Sequence, residues 1–274
     1  MPELPEVETV RRSLEKHLLG RIITEVIINK SKIIKFPEPE KFKFLLEGDK
    51  INSLGRRGKY LLFCLKSGYT WVTHLRMTGQ FYYVKPEESL LKHTHLIFEL
   101  DNGYQLRYVD IRQFGTMYLL RPEEFKLIKG LRDLGPEPLS NGLSFDRFCR
   151  LLEGRRGALK QLLLDQTFLA GIGNIYADEI LFDAGLHPKR LVSSLSLQEK
   201  KALLKSIQKM LQLGIENRGT SFRNYVDGDG RKGSFQELLK VYGRGGEACC
   251  KCGQPLTKQK IAGRSTCFCS TCQK

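Results

Sequence analysis

Apolar and polar positions along the chain change their period twice. Near the start, Val7, Val10, Leu14 and Leu18 recur three to four residues apart, as on one stripe of an α-helix. Pro5 fits a first-turn position, Glu6 and Glu8 suit the positive end of the helix dipole, and Gly20 is placed to end the helix. From Ile23 to about Leu120 the texture turns to β. ITEVIIN, KYLLFCL, YTWVTHL, QFYYV, THLIFEL, YQLRYV and TMYLL are short strand-like runs separated by turns, among them Asp101-Asn102-Gly103. So many short strands predict a β-sandwich or barrel.

The Pro, Gly, Asn and Ser of LGPEPLSNG (134–142) mark a linker. Beyond it the helical period returns in SFDRFCRLLEG, ALKQLLLDQ, NIYADEILFDAG and SLQEKKALLKSIQKMLQLGIEN. Residues 218–236, RGTSFRNYVDGDGRKGSFQ, are Gly-rich, polar and without period, and are expected to form a mobile loop. No internal repeat is visible.

Composition is that of an ordinary globular protein of 274 residues, with 41% apolar and 27% charged residues, long enough for two domains. No apolar run approaches the roughly 18 residues of a membrane span, and the acidic opening is unlike a secretory signal. A soluble intracellular protein with no membrane partner is expected. Charge is more telling. The net charge is +15 with a pI near 9.5, which points to a polyanion partner such as nucleic acid. From Lys240 to Lys274 seven Lys/Arg face one acid, Glu247.

That basic tail also holds six of the eight cysteines: Cys249, Cys250, Cys252, Cys267, Cys269 and Cys272. Two C-x2-C pairs, Cys249/Cys252 and Cys269/Cys272, are separated by 16 residues, the spacing of a four-cysteine zinc site on a two-hairpin ribbon. One zinc ion is expected, and a structural one, because four thiolates leave no open position for catalysis. Cys250 and Cys267 are spare. Between the knuckles, AGRS (262–265) puts Arg264 at a hairpin tip, where a rigidly held arginine suits a phosphate or a groove.

Two further stretches carry chemistry. LDQTFLAGIGNIYADEIL (164–181) ends one helix, turns through Gly171 and Gly173 and opens another at Asn174, where the exposed N–H groups of the new helix are expected to favour an anion. Lys160, Arg155 and Arg156 are expected to add positive charge to that face. At the start of the chain, a small second residue favours removal of Met1, which makes Pro2 a free secondary amine. An α-amino group titrates near 7.7–8.0 against about 10.4 for lysine, and a secondary amine that attacks an aldehyde-level carbon forms an iminium electron sink. Glu3 beside it could move protons. Read alone, these ten residues favour a plain helix start with dipole-matched acids.

Together these features resemble the bacterial formamidopyrimidine-DNA glycosylase family over the whole chain. The resemblance rests on PELPEVET (2–9), RRGKYL (56–61), HLRMTG (74–79), HTH (93–95), DIRQFGT (110–116), LGPEPL (134–139), LKQLLLDQTFLAGIGNIYADE (159–179), VYGRGG (241–246) and the terminal knuckles with AGRST. PELPE favours the oxidised-purine branch over the related endonuclease VIII branch. The resemblance implies an α+β protein: an N-terminal β-sandwich with an N-terminal helix (1–132), a helix–two-turn–helix domain (133–239) across a cleft holding the DNA, and a zinc finger (240–274). It implies a monomeric base-excision-repair enzyme of the bacterial cytoplasm, nucleoid-associated through DNA, that acts on damaged double-stranded DNA as glycosylase and AP lyase. It removes 8-oxoguanine and formamidopyrimidine bases and nicks by β,δ-elimination.

By the same resemblance, Pro2 attacks the sugar C1′, Glu3 is the general acid/base, Lys59 contacts the lesion and donates a proton, and Arg264 grips the phosphate of the extruded nucleotide. His93, Arg156, Lys160 and Asn174 are implied backbone contacts. Met77, Arg112 and Phe114 are implied to fill the gap left by the flipped nucleotide, with Arg112 facing the orphaned cytosine, and 218–236 reads the lesion through backbone amides. On the residues alone Met77 and Phe114 are ordinary β-core residues and Lys59 a surface lysine. Gln113 and Cys267 depart from the family's usual lysine and histidine without touching this chemistry. The alternatives are a glycosylase for oxidised pyrimidines and a catalytically silent zinc-ribbon DNA-binding protein.

Overall fold

Pro5 in the first turn and Glu3 at the N-cap start α1 (Leu4–Leu18) in the computed structural model, which describes residues 1–221 and 227–274. Of the loop expected over 218–236, residues 222–226 therefore lie outside the described residues. The apolar stripe Val7, Val10, Leu14 and Leu18 is buried, and Gly20, at φ 79°, takes the left-handed position beyond the helix end.

In chain order there follow β1 (Ile23–Ile28), β2 (Ile34–Phe36), α2 (Pro39–Leu46), β3 (Ile51–Arg57), β4 (Tyr60–Leu65), β5 (Thr70–His74), β6 (Gly79–Val84), β7 (Thr94–Leu100), β8 (Gln105–Asp110), β9 (Thr116–Leu120) and the short α3 (Lys129–Arg132). They form two sheets, ordered β1-β7-β8-β6 and β2-β9-β5-β4-β3. The inner faces share one core with α1: Trp71 of β5 lies 4.3 Å from Phe98 of β7 and stacks on Phe63 at 4.2 Å. The result is a β-sandwich, not a barrel. Two strands and two helices, β2, β3, α2 and the four-residue α3, did not announce themselves. β3 reads INSLGRR, too polar for a strand by pattern, and it forms because β4 offers it a full antiparallel ladder.

The second half is helical: α4 (Phe145–Leu152), α5 (Leu159–Leu164), α6 (Asn174–Asp183) and α7 (Leu197–Glu216), then the hairpin β10 (Thr257–Ile261) and β11 (Arg264–Phe268). Gly214 lets α7 approach Tyr176 of α6, since a Cβ there would come within 2.5 Å of the Tyr176 hydroxyl. Contacts divide the chain into two compact units, Met1–Arg132 with Asn217–Ser234, and Asp133–Glu216 with Phe235–Lys274. This layout departs from the expected one in two places. Residues 217–234, assigned by sequence to the helical domain, pack with the sandwich because Glu6 and Ser13 of α1 accept their backbone N–H groups. The zinc-finger region is not separate from the helices: the Glu179 carboxylate accepts the N–H groups of Lys240, Val241 and Tyr242 at 2.8–2.9 Å. Among the described residues no helix is long and apolar enough to cross a membrane.

Candidate active site and nucleic-acid interface

The first turn of α1 is unusually rich in buried acid: Glu3 and Glu6 are 3% and 1% exposed. Glu6 bridges two segments, one oxygen accepting the Glu3 N–H at 2.7 Å and the other the N–H and hydroxyl of Thr220 at 2.8 and 3.1 Å. Sequence left Glu6 as a helix-start acid; its place is structural and internal. Burial holds the Met1 amine below its ordinary value, Glu3 and Glu6 oppose that, and Lys59 and Arg112 push it further down. One amine, two carboxylates and two cations are thus gathered at the chain's start.

Lys59 reaches this place from a two-residue hairpin. Gly58, at φ 54°, turns β3 into β4 with Arg57 and Tyr60 paired across it. Arg56 ties the hairpin to α1, donating to Glu8 at 3.1 Å and to the Gly58 carbonyl at 3.0 Å. Burial pushes the Glu8 carboxyl up, but hydrogen bonds from Arg11 and Arg12 and the charges of Arg11 and Arg56 hold it below the usual carboxylate value. Glu8 is therefore the anchor of the Lys59 hairpin rather than a dipole partner. Lys59 itself is 6% exposed, the reverse of a surface lysine.

Met77 and Phe114 are reversed as well: 45% and 52% exposed, they stand on turns and not in the core. His74 accepts the Arg76 N–H at 3.0 Å and bends the chain so that Arg76 sits at φ 55°, just before Met77. Burial, with Arg76 and Lys59 nearby, lowers the His74 pKa to about 3, so its ring stays a neutral acceptor. On the second turn Gln113 is left-handed at φ 56°, between Arg112 and Phe114, whose ring lies 4.7 Å from the Arg112 guanidinium. The turns brace each other through fully buried Asp110, which accepts the Thr78 hydroxyl and the Gly115 N–H (2.8 Å), while Thr78 accepts the Arg112 N–H at 3.0 Å. His93, at φ 72°, joins by accepting the Asp110 N–H on its carbonyl at 3.1 Å. Backbone strain at three non-glycine residues is thereby held where side chains must project. Sequence missed His74, Thr78 and Asp110, although HLRMTG and DIRQFGT contain them.

In the second unit, Gln166 shapes the glycine turn by accepting the Gly171 N–H at 2.9 Å and donating to the Ile172 carbonyl at 2.8 Å. Gly171 sits at φ 93°. α6 then opens at Asn174, which donates to the Ser265 carbonyl at 2.9 Å and so holds β11 next to Arg264. Arg264 and Arg156 are exposed. Lys160 is not: with 0% exposure its ammonium pairs with Asp178, inside the fold. A direct DNA contact by Lys160 does not survive that placement. Arg155 likewise pairs with Asp165 at 2.7 Å.

β10 and β11 turn through Ala262 (φ 50°) and Gly263 (φ 73°), with Arg264 directly after the tip. Flanking this hairpin, the thiols of Cys249, Cys252, Cys269 and Cys272 all lie within 4.8 Å of one another. The Cys249–Cys272 and Cys252–Cys269 separations are 4.0 and 3.5 Å, close to the ~3.8 Å edge of a tetrahedron with Zn–S bonds of about 2.3 Å. The four-thiolate set fits a metal ion. Cys267 is buried in the small core beside it, with Phe182, Val241 and Leu256, and Cys250 is exposed.

Two family models cover most of the chain: the formamidopyrimidine-DNA glycosylase N-terminal domain over residues 1–117, and the H2TH domain of the same enzymes over 134–225. The chain belongs to the formamidopyrimidine-DNA glycosylase family. A relative from Heliobacterium modesticaldum is 52% identical with all of both chains covered, and one from Desulforamulus reducens is 50% identical, covering 100% of this chain and 99% of its own. Among solved structures, Lactococcus lactis Fpg with N7-benzyl-Fapy-dG DNA aligns at TM-score 0.92 and 37% identity over 100% of both chains. Its complex with abasic-site DNA aligns at 0.91 and 36% over 99% of each. Membership carries an enzyme class, a DNA glycosylase for oxidised bases, and AP-lyase activity is part of the family.

Proposed function

We propose that this chain excises 8-oxoguanine and formamidopyrimidine bases from duplex DNA and nicks the strand at the resulting site, with Pro2 as nucleophile once Met1 is removed. The observation that carries the reading is that buried Glu3, Glu6 and Lys59, with the charge of Arg112, all act on the amine of Met1, one residue from the Pro2 nitrogen that removal of Met1 would free. A stacked duplex hides C1′, so the nucleotide must be extruded, at a cost of a few kcal/mol. Met77, Arg112 and Phe114, projecting from their braced turns, replace the lost stacking and pairing, with Arg112 facing the orphaned cytosine. His93, Arg156 and Asn174 hold the backbone, Arg264 takes the phosphate of the extruded nucleotide, and 218–236 reads the base.

The Pro2 nitrogen attacks C1′, and the glycosidic electron pair leaves with the base, which takes up a proton. The Pro2 nitrogen gives up its own proton once bonded to C1′, and opening of the C1′–O4′ bond then leaves an iminium whose positive charge is permanent because the nitrogen carries no proton, while Glu3 delivers a proton to O4′. Loss of the C2′ proton expels the 3′-phosphate, a second elimination expels the 5′-phosphate, and water frees Pro2. Lys59 and Arg264 balance charge on the departing phosphates, and Lys59 serves as proton donor. Cys249, Cys252, Cys269 and Cys272 would hold one zinc ion whose contribution is structural. The setting is base-excision repair on nucleoid DNA in the bacterial cytoplasm.

A neighbouring L. lactis Fpg complex contains oxidised-pyrimidine DNA, which makes that lesion class the comparator. Single-turnover base release is expected to be faster from 8-oxoguanine paired with cytosine than from an oxidised pyrimidine. The opposite ranking transfers the chain to the pyrimidine class, and release from neither, with tight duplex binding, makes it a silent binder.

A further inference from the structure

In the first unit, Asp227-Gly228-Asp229-Gly230 sits on a surface of α1 and β6 shaped to receive it. Gly228 donates its N–H to Ser13 Oγ at 2.8 Å, and its carbonyl accepts the Tyr83 N–H at 3.2 Å. A Cβ at Gly228 would lie 2.5 Å from Leu14 Cδ2 and 3.0 Å from Ser13 Oγ, so only glycine seats. His17 Nε2 is 2.7 Å from Asp229 Oδ1, and the imidazole stacks on Tyr83 at 4.4 Å, which stacks in turn on Tyr104 at 4.7 Å. The turn is braced from within: fully buried Asp227 accepts the N–H groups of Asp229 and Arg231 at 2.9 and 3.0 Å and pairs with Arg218. Glu6, Ser13 and His17 stand seven and four residues apart, on one stripe of α1. The helix that begins at Pro2 and Glu3 therefore holds the segment at both ends, Thr220 through Glu6 and Gly228 through Ser13.

We propose that Ser13, His17 and Gly228 form a latch of positioning residues for recognition of the damaged base. They fix the register of the Asp227-Gly228-Asp229-Gly230 turn against α1, the helix whose first turn holds Thr220 through Glu6. This rests on the function proposed above, in which the segment reads the base. Release of an intact damaged base needs that register. Cleavage at a pre-formed abasic site, where there is no base to read, does not.

The test compares single-turnover base release from an 8-oxoguanine duplex with strand cleavage at a pre-formed abasic site, in the full-length protein. Gly228→Ala is expected to slow base release about tenfold and leave abasic cleavage within about twofold. His17→Phe keeps the ring on Tyr83 but loses the bond to Asp229, and it should slow base release about threefold. His17→Gln, which restores a donor, should recover most of that loss. Equal slowing of both reactions, or unchanged base release in Gly228→Ala, overturns the latch. Inactivity of the unsubstituted protein on 8-oxoguanine would instead refute the glycosylase reading, so the two failures are distinct.

Discussion

The two ends of the chain present cations to the outside by opposite means. In the sandwich, Arg112 and the apolar tips beside it stand on turns fixed by a network: His74 under Arg76, and Asp110 under Thr78 and Gly115. Behind the network is a large shared core. At the C-terminal end Arg264 rides a two-residue turn whose hairpin has a core of only a few side chains, and four thiols complete it. A metal ion held by those thiols would do there what burial does in the sandwich. Precision at the first site is spread over many weak bonds, and at the second it rests on four thiols that a single ion would tie together.

Removal of the proposed zinc is therefore expected to have the largest effect. Chelation of the proposed zinc is expected to unfold the finger, with apparent metal-binding energies of about 10 kcal/mol or more at stake, and to abolish duplex binding. The sandwich should keep its near-ultraviolet signal from Trp71, the single tryptophan. Binding that survives in metal-free protein contradicts a structural zinc.

Acid tests the sandwich network. His74 is held near 3 in the fold against 6.5 unfolded, so below about 6.5 the unfolded chain takes up a proton that the native chain refuses. Stability is then full above 6.5 and falls as pH drops toward 3, by about 4 kcal/mol in total. His74→Asn, which keeps an acceptor for the Arg76 N–H, should show a shallower decline between those limits in urea titrations. Identical slopes would remove His74 from the network.

The smallest effect sharpens the finger side. Ala262 occupies the left-handed region at φ 50° beside Gly263, a conformation costing about 1 kcal/mol for alanine. Ala262→Gly should leave the finger's stability unchanged or raise it by up to about 1 kcal/mol, the gain offset in part by a freer unfolded chain. A clear loss in thermal melting would mean that the turn is not strained.

What was legible in sequence tracks this division. The cysteine knuckles are local and chemically explicit, so spacing alone picked out the four thiols that lie within 4.8 Å of one another. Period-2 alternation found most strands, and the 3.6 period found α1 and the helices beyond the linker. Polar β3 was invisible because its partner, not its own pattern, makes it a strand. Burial of individual polar residues was also out of reach: Lys59 and Lys160 look alike in sequence, yet both lie inside, Lys160 against Asp178. Met77 and Phe114, apolar and flanked by strands, read as core until their turns are seen. The turn braces join residues some thirty positions apart, such as Thr78 and Asp110, and no short-range pattern encodes them.

Pro2, freed by removal of Met1, is the proposed nucleophile. Borohydride reduction during reaction with an 8-oxoguanine duplex tests it directly, read by mass spectrometry of the trapped peptide. The account predicts one covalent protein–DNA adduct, on the nitrogen of Pro2 in protein that has lost Met1. An adduct on a lysine such as Lys59, or none from correctly processed protein that still releases the base, would contradict it.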